Sequence, residues 1–307
     1  MTGVQTCALP IYGPAGVIAA EALRRADPAA DVVLIGDEKG PPYSRMAIPY
    51  LLTGMINEKG TQLRKDAGHY KRMGIRLVTA HAKRVDSKAR RVTLTNGKTL
   101  PYDRLLIATG AHALRPDVPG MNLPNVHPCW TLADARAIAK KARRGTHVVQ
   151  IGAGFIGCII LQALAERGVK LSVVEMGDRM VPRMMTAKAG DLIRQWVEKK
   201  GVDVHLNARV ESVAKAGKSA MKVKLSNGKT LECHLVIPAA GVRPNVDFLK
   251  GSGVKIGDGV IVDERMQTSV PEIYAAGDVA EAVGFYSGKP GMNAIQPNAA
   301  DQARIAA

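Results

Sequence analysis

Residues 146–179, THVVQIGAGFIGCIILQALAERGVKLSVVEMGDR, leave few folds open to this chain. An apolar stretch, Val148 to Ile151, runs straight into Gly152-Ala153-Gly154-Phe155-Ile156-Gly157. A helical segment follows to about Arg167, and a second apolar strand ends at Glu175. Strand, glycine turn, helix and strand in that order spell a βαβ unit with a dinucleotide fingerprint. Gly152 permits the tight turn. Gly154 lets the backbone approach a pyrophosphate resting on the helix N-terminus, and Gly157 lets helix and strand pack closely. Glu175 lies 23 residues after Gly152, where a carboxylate accepts hydrogen bonds from ribose hydroxyls. Such a carboxylate repels a 2′-phosphate and favours NADH over NADPH, against the opposing charges of Arg179 and Arg183 nearby. The residues expected at this nucleotide are Gly152, Gly154, Phe155, Ile156, Gly157 and Glu175. The alternative is a glycine-rich turn that binds nothing.

The chain also repeats itself. Gly13 and Gly16 correspond to Gly154 and Gly157 at an offset of 141 residues. Asn96-Gly97-Lys98-Thr99-Leu100 recurs as Asn227-Gly228-Lys229-Thr230-Leu231 at an offset of 131, which also carries Ala108 and Gly110 onto Ala239 and Gly241. One domain type used twice is the simplest account. The Asn-Gly pairs suit type I′ hairpin turns, with positive φ at both central residues. In the first copy Ile11 occupies the first glycine place, the helix runs to about Arg25, and Asp37 or Glu38 supplies the ribose acid after the strand Val32 to Ile35. The expected fold is α/β, with two Rossmann-like, three-layer dinucleotide-binding domains.

The two ends look foreign to that plan. The start, MTGVQTCALPI, resembles translated adaptor sequence. A central parallel strand should be a β-branched run, whereas Pro10 cannot donate to a sheet ladder. Residues 1–11 are therefore set aside as a non-native scar. The far end, GMNAIQPNAADQARIAA, stops inside a helix, so truncation at both ends is expected.

Two later segments carry a family resemblance. Leu105-Leu106-Ile107-Ala108-Thr109-Gly110 and Thr268 to Ala280, TSVPEIYAAGDVA, look like the ATG and GD signatures of the FAD-dependent pyridine nucleotide oxidoreductases. Within that superfamily the chain resembles the ferredoxin and rubredoxin reductases and the nitrite reductase flavin module, over residues 13 to 307. The resemblance implies an FAD domain in two parts, 12–114 and 236–307, with an NAD domain, 115–235, inserted between them. A C-terminal interface domain, through which relatives usually dimerise, would be missing.

The resemblance assigns Asp278 to the FAD ribityl chain, with Gly277 allowing close approach. Thr109 and Gly110 would pass near the cofactor, and Ala82 would offer its backbone to the adenine. Pro297-Asn298 would open a helix whose positive end faces the flavin pyrimidine ring, and Arg45 would border FAD. Gly241 would approach the cofactor on the NAD side. Gly13, Gly16, Asp37 and Glu38 complete the FAD set. The same resemblance implies that NADH gives hydride to flavin N5 and that electrons then leave singly to an acceptor outside the chain. No acid–base pair or nucleophile is needed, so no catalytic side chain is assigned.

Three positions depart from the family pattern. Met46 stands where coenzyme A disulfide reductases and NADH peroxidases carry a redox cysteine, and a thioether cannot form the thiolate or sulfenic acid those reactions need. Tyr50 and Ile159 stand where relatives often place a lysine near flavin N5 and its glutamate partner. Joint loss of both charges avoids an uncompensated buried ion.

Composition narrows the rest. Lys plus Arg exceed Asp plus Glu by 43 − 27 = 16, with aromatics only 4%. That balance is that of an ordinary solvated basic surface; as a docking face it suits an acidic protein partner such as a ferredoxin or rubredoxin better than stacked single-stranded nucleic acid. Cys7, Cys129, Cys158 and Cys233 show no disulfide, zinc or dithiol spacing, and no run is long and apolar enough to span a membrane. A cytoplasmic enzyme is expected, with no metal. Two other readings stay open: an NADH oxidase or quinone-type reductase, and a flavin-binding signalling protein whose basic face meets nucleic acid.

Overall fold

The computed structural model describes residues 6–10, 12–217 and 219–307. The chain divides into two compact units. The first holds the described residues up to Ser44, Gln62–His112 and Pro244–Ala307, and the second holds Arg45–Thr61 and Ala113–Arg243.

The first unit is built on a parallel sheet in the order Ile273–Ala275, Arg104–Ile107, Thr6–Pro10, Asp31–Gly36, Ile75–Thr79. Asp31–Gly36 is apolar on both faces, as a parallel strand covered on both sides must be. Val32 and Leu34 pack with Val17 and Ala20 of the helix Pro14–Ala26 and with Ala299 and Ala303 of the helix Gln296–Ala306. Val33 and Ile35 point the other way, onto Val85, Val92 and Leu94 of an antiparallel meander. The meander runs through Ala82–Asp86, Arg91–Leu94 and Thr99–Pro101. Helices, sheet and meander make three layers.

The second unit repeats this plan. Its parallel sheet runs Asp203–His205, Lys170–Val174, His147–Ile151, Leu235–Pro238. The helix Phe155–Glu166 packs on the two middle strands Lys170–Val174 and His147–Ile151. On the opposite face Val149, Ile151, Val174 and Val236 meet Val213, Val223 and Leu225 of a second meander, Val210–Ala216, Ala220–Leu225, Thr230–Cys233. Both units are Rossmann-like, and the larger piece of the second interrupts the first.

The structure adds to the expectations and corrects some of them. Thr6–Pro10, within the segment set aside as a scar, forms the central strand of the first sheet, pairing with Asp31–Gly36 through Pro10 opposite Ile35 and with Arg104–Ile107 at Cys7 and Ala8. The slot between two parallel strands accepts any extended segment that leads into the helix, because strand propensity yields to context. Pro10 sits at the strand's last position, where its missing N–H disturbs the ladder least.

The second unit also ends later than residue 235, because Leu235–Pro238 ladders onto His147–Ile151. It also takes in Arg45–Thr61, whose helix Ile48–Thr53 lies against Phe155–Glu166 and Leu132–Lys141. Arg167 fixes that contact by donating to the carbonyls of Leu52, Ala139 and Ala142 at 2.6, 2.7 and 2.8 Å. One guanidinium thus meets the partial negative charge of two helix ends.

Finally, neither hairpin is a type I′ turn. Gly97 and Gly228 have φ of +83° and +82°, while Asn96 and Asn227 are not among the residues of positive φ. Gly97 N–H donates to Leu94 O and Gly228 N–H to Leu225 O, both at 3.0 Å, a turn closed by a left-handed glycine. Each asparagine instead accepts from the N–H two residues on, at 3.1 Å.

Glu21, on the helix Pro14–Ala26, is a buried carboxylate held by Arg64 at 2.6 and 2.7 Å and by His69 Nε2 at 2.9 Å. Burial is the largest single influence and raises its pKa, but the hydrogen bonds and charges of Arg64 and His69 together hold it below the ordinary carboxylate value. Its stabilisation is therefore complete above the ordinary carboxylate range and is lost as pH falls through the lowered folded value. Glu21→Gln should cost on the order of 2 kcal/mol at about pH 7. Urea denaturation at about pH 7 and about pH 3 should show that difference shrinking in acid.

Candidate functional site

In the second unit the turn after His147–Ile151 is fixed by contact distances. Gly152 has φ of +100°, and a Cβ there would lie 2.5 Å from Ala239 O. A Cβ on Gly157 would lie 2.6 Å from Gly152 O, so helix and turn touch through that glycine. A Cβ on Gly154 would meet nothing within 4 Å, so its Cα faces open space at the helix start. Gly154 caps the helix with no side-chain hydrogen bond, which leaves the first-turn N–H groups pointing outward. Uncapped helix N-termini of this kind receive anions.

Glu175, one residue past the strand Lys170–Val174, is buried with its carboxylate turned back onto the glycine turn. Oε2 accepts from Ala153 N–H at 2.7 Å and Oε1 from Gly177 N–H at 2.8 Å. Two charge-assisted bonds orient it, and each oxygen keeps a lone pair for a further donor. Of the flanking arginines, Arg179 is engaged by Asp178 at 2.7 and 2.9 Å, and Arg183 is exposed. Phe155 is exposed and Ile156 half-buried on the first turn of the helix. Gly241, past the strand Leu235–Pro238, has φ of +114° and accepts Leu114 N–H at 2.9 Å.

In the first unit most of the expected residues gather at the carboxyl ends of adjacent strands. Gly277 has φ of +81°, and a Cβ there would come within 3.1 Å of Ala15 Cβ and 3.5 Å of Ala299 Cβ. The turn bearing Gly277 and the half-buried Asp278 is thus wedged between the starts of the two helices that carry Gly13 and Gly16, and Pro297 and Asn298. Neither helix has a side-chain N-cap. Gln302 accepts Gly277 N–H at 2.8 Å.

Thr109 and Gly110 follow the neighbouring strand and are held by Asn245. Thr109 Oγ1 donates to Asn245 O at 2.7 Å, Asn245 Nδ2 donates to Thr109 O at 2.8 Å, and Asn245 N–H donates to Gly110 O at 3.0 Å. Asp37 is exposed and 3.1 Å from His81 Nδ1, and Glu38 accepts Tyr43 OH at 2.6 Å. Ala82 is buried in the meander core.

Arg45 lies in the second unit, donating to Trp130 O at 3.0 Å and stacking 5.3 Å from the Trp130 ring. The preceding Ser44 belongs to the first unit and donates to Gln296 at 2.8 Å. Asn245, Gln302, Ser44 and Gln296 went unread in the sequence, because none sits in a spacing that marks it.

A family model described as pyridine nucleotide-disulphide oxidoreductase matches residues 12–303. The chain belongs to the pyridine nucleotide-disulphide oxidoreductase family. It is 33% identical to an NADH oxidase of Methanocaldococcus jannaschii, over 96% of this chain and 67% of that one. It is 30% identical to rhodocoxin reductase of Rhodococcus erythropolis, over 96% of this chain and 69% of that one. Among solved structures, the ferredoxin reductase for the CYP199A2 system of Rhodopseudomonas palustris superposes with a TM-score of 0.93 at 31% identity, covering 98% of this chain and 74% of that one.

The pyridine nucleotide-disulphide oxidoreductase family is one of FAD- and NAD(P)H-dependent enzymes, and this chain is such an oxidoreductase. The residues present fit both cofactors: three uncapped helix starts, glycines where a side chain would fill the approach, and a buried carboxylate at the turn. Among the described residues, no helix is long and apolar enough to cross a membrane.

The disulphide half of the family name finds no support in the cysteines. Burial pushes the thiols of Cys129 and Cys233 up to about 12 and that of Cys158 up to about 11. None is disulfide-bonded, and the side chain of Cys7 lies outside the described residues. Met46 and Tyr50 are exposed and Ile159 half-buried, so neither a thiol nor an ion pair stands at those places. Iodoacetamide at about pH 7.5 should leave Cys129, Cys158 and Cys233 of the folded protein largely unmodified, and alkylate all three in urea. Peptide mass mapping of the two samples checks this.

Proposed function

We propose that the chain binds FAD at the carboxyl edge of the first sheet and NADH at that of the second, and delivers reducing equivalents to an iron–sulfur or haem protein. The observation that carries the NADH half is Glu175, a buried carboxylate aimed at the mouth of a glycine turn. There it accepts hydrogen bonds from ribose hydroxyls and repels a 2′-phosphate, while Asp178 pairs with Arg179, one of the two opposing charges.

Gly152, Gly154, Phe155, Ile156, Gly157 and Gly241 form the rest of this NADH site. On the FAD side, Gly13, Gly16, Gly277 and Asp278 hold the phosphates and ribityl chain, and Asp37 or Glu38 the ribose. Thr109 and Gly110, braced by Asn245, line the approach, with Ala82 near the adenine and Arg45 at the border. The helix starting at Pro297-Asn298 sets its positive end against negative charge on the bound ring. FAD, when bound, supplies the conversion between hydride transfer and single-electron delivery.

The acceptor follows from chemistry and likeness together. The described thiols are held protonated, which disfavours a disulfide acceptor. Rhodocoxin reductase and the CYP199A2 ferredoxin reductase are named for partner proteins of the proposed kind. The excess of 16 positive charges suits an acidic docking face. Unpaired cysteines support a reducing, cytoplasmic setting, and dimerisation through a further domain is proposed by family likeness. The likeness to an NADH oxidase favours one second reading, in which oxygen itself accepts the electrons.

The protein loaded with FAD should bleach under anaerobic NADH, and far more slowly with NADPH. It should then reduce a ferredoxin or rubredoxin faster than oxygen. Glu175→Ala should lower kcat/KM for NADH about tenfold or more and narrow the preference over NADPH. Protein that takes up no flavin sinks the proposal. DNA binding with a steep salt dependence and no NADH turnover would point to the nucleic-acid reading instead.

A further inference from the structure

Gln150 is the one polar side chain in the strand His147–Ile151 that is wholly buried, with 0% of its surface exposed. Its Nε2 donates to Gly152 O at 2.9 Å, and its Oε1 has no hydrogen-bond partner. The carbonyl contact fixes which end of the amide is nitrogen. Gly152 O belongs to the same peptide whose N–H, on Ala153, donates to Glu175 at 2.7 Å. One peptide plane is therefore gripped at both edges by buried side chains from neighbouring strands. Nε2 also lies 3.0 Å from where a Cβ on Gly157 would stand, so the amide packs closely on that glycine.

We propose that Gln150 is a positioning residue for the nicotinamide nucleotide: it holds the Gly152–Ala153 peptide so that the N–H faces Glu175 and the carbonyl faces away. This rests on the NADH reading of the turn. A glycine of positive φ lets the following peptide plane rotate at little cost. A rotated plane would set a carbonyl against the Glu175 carboxylate and release that side chain from its backbone donor. Glu175 secures one edge of the plane and Gln150 the other. The unmatched Oε1 weakens the fold, because an apolar side chain of similar size would bury no orphan acceptor. A group that costs stability while orienting a binding turn is placed for the ligand.

The test uses the full chain loaded with FAD and pre-reduced with dithionite, so that no hydride is transferred, and measures thermal midpoint and equilibrium dissociation constants for NADH and NADPH under anaerobic conditions. Gln150→Met should keep or raise the thermal midpoint, weaken NADH about tenfold, and narrow the NADH-to-NADPH ratio as Glu175 loses its fixed orientation. Gln150→Glu should bind NADH well only when the new carboxyl is protonated and can donate to Gly152 O. Its affinity should therefore fall with rising pH relative to wild type. The other titratable groups packed on the turn, Glu175 from the adjacent strand and Cys158 from the helix, are common to both proteins.

Wild-type affinity in Gln150→Met at an unchanged midpoint overturns the proposal. If that variant fails to fold, a Gln150→Glu profile parallel to wild type overturns it equally. Wild-type protein that does not bind NADH at all would instead defeat the reading of the site on which the proposal rests.

Discussion

The peptide that joins Gly152 to Ala153 has to turn a strand into a helix within a few residues. Its N–H and C=O leave the sheet ladder at that point and cannot be left bare, because buried backbone groups without partners cost as much as lost hydrogen bonds. Glu175 and Gln150 satisfy one edge each. Once that plane is set, Gly157 must be glycine to admit Gly152 O, and Gly152 must be glycine to clear Ala239 O. The helix N-terminus then points past Gly154 into open space. The start of the helix and its anion-binding character both follow from how one peptide is held.

The first unit meets the same requirement by other means. Gly277 is wedged between Ala15 and Ala299, so three chain segments distant in sequence approach with no side chain larger than a methyl between them. Asn245 uses its backbone and its side chain to brace Thr109 and Gly110. A bidentate brace from a single asparagine fixes the end of the strand Arg104–Ile107 much as a ladder partner would. Two copies of one domain type thus keep the same topology while differing in what holds their turns. The topology is set by burial of the alternating Val and Ile faces, and the turns by individual polar contacts.

That distinction explains what could be read from the residues alone. Apolar runs, glycine spacing and the internal repeat report burial and chain reversal, which are local, and they marked both nucleotide folds. The strand Thr6–Pro10 was not legible because its propensity is poor and only its neighbours in the sheet require it. The hairpins were misread because Asn-Gly serves two turn types, and the choice depends on loop length. Arg45 sits next to Ser44 in sequence, yet the two have partners in different units, a division that spacing does not encode. Gln150 did leave a signal: a polar residue at a position whose strand neighbours are all apolar conflicts with the pattern, and such conflicts concentrate where a site is built.

The thiols constrain what the chain can do with electrons. A disulfide acceptor needs a thiolate that attacks, and the described cysteines are held protonated by burial, with values of about 11 to 12. At neutral pH the thiolate fraction of such a group is about one part in ten thousand or less. Met46 removes the nucleophile from the segment where relatives of the disulfide-reducing kind carry it. In the proposed function electrons leave from the bound flavin itself, which sets two demands on the protein: an exposed approach to the ring and long-range attraction for the acceptor. A net charge of +16 supplies attraction that extends about one Debye length, roughly 8 Å at physiological ionic strength. Within that range it raises encounter rates without fixing a single docking pose. Relatives of one fold are named for different proteins, rhodocoxin and rubredoxin, as a pull of that unspecific kind allows.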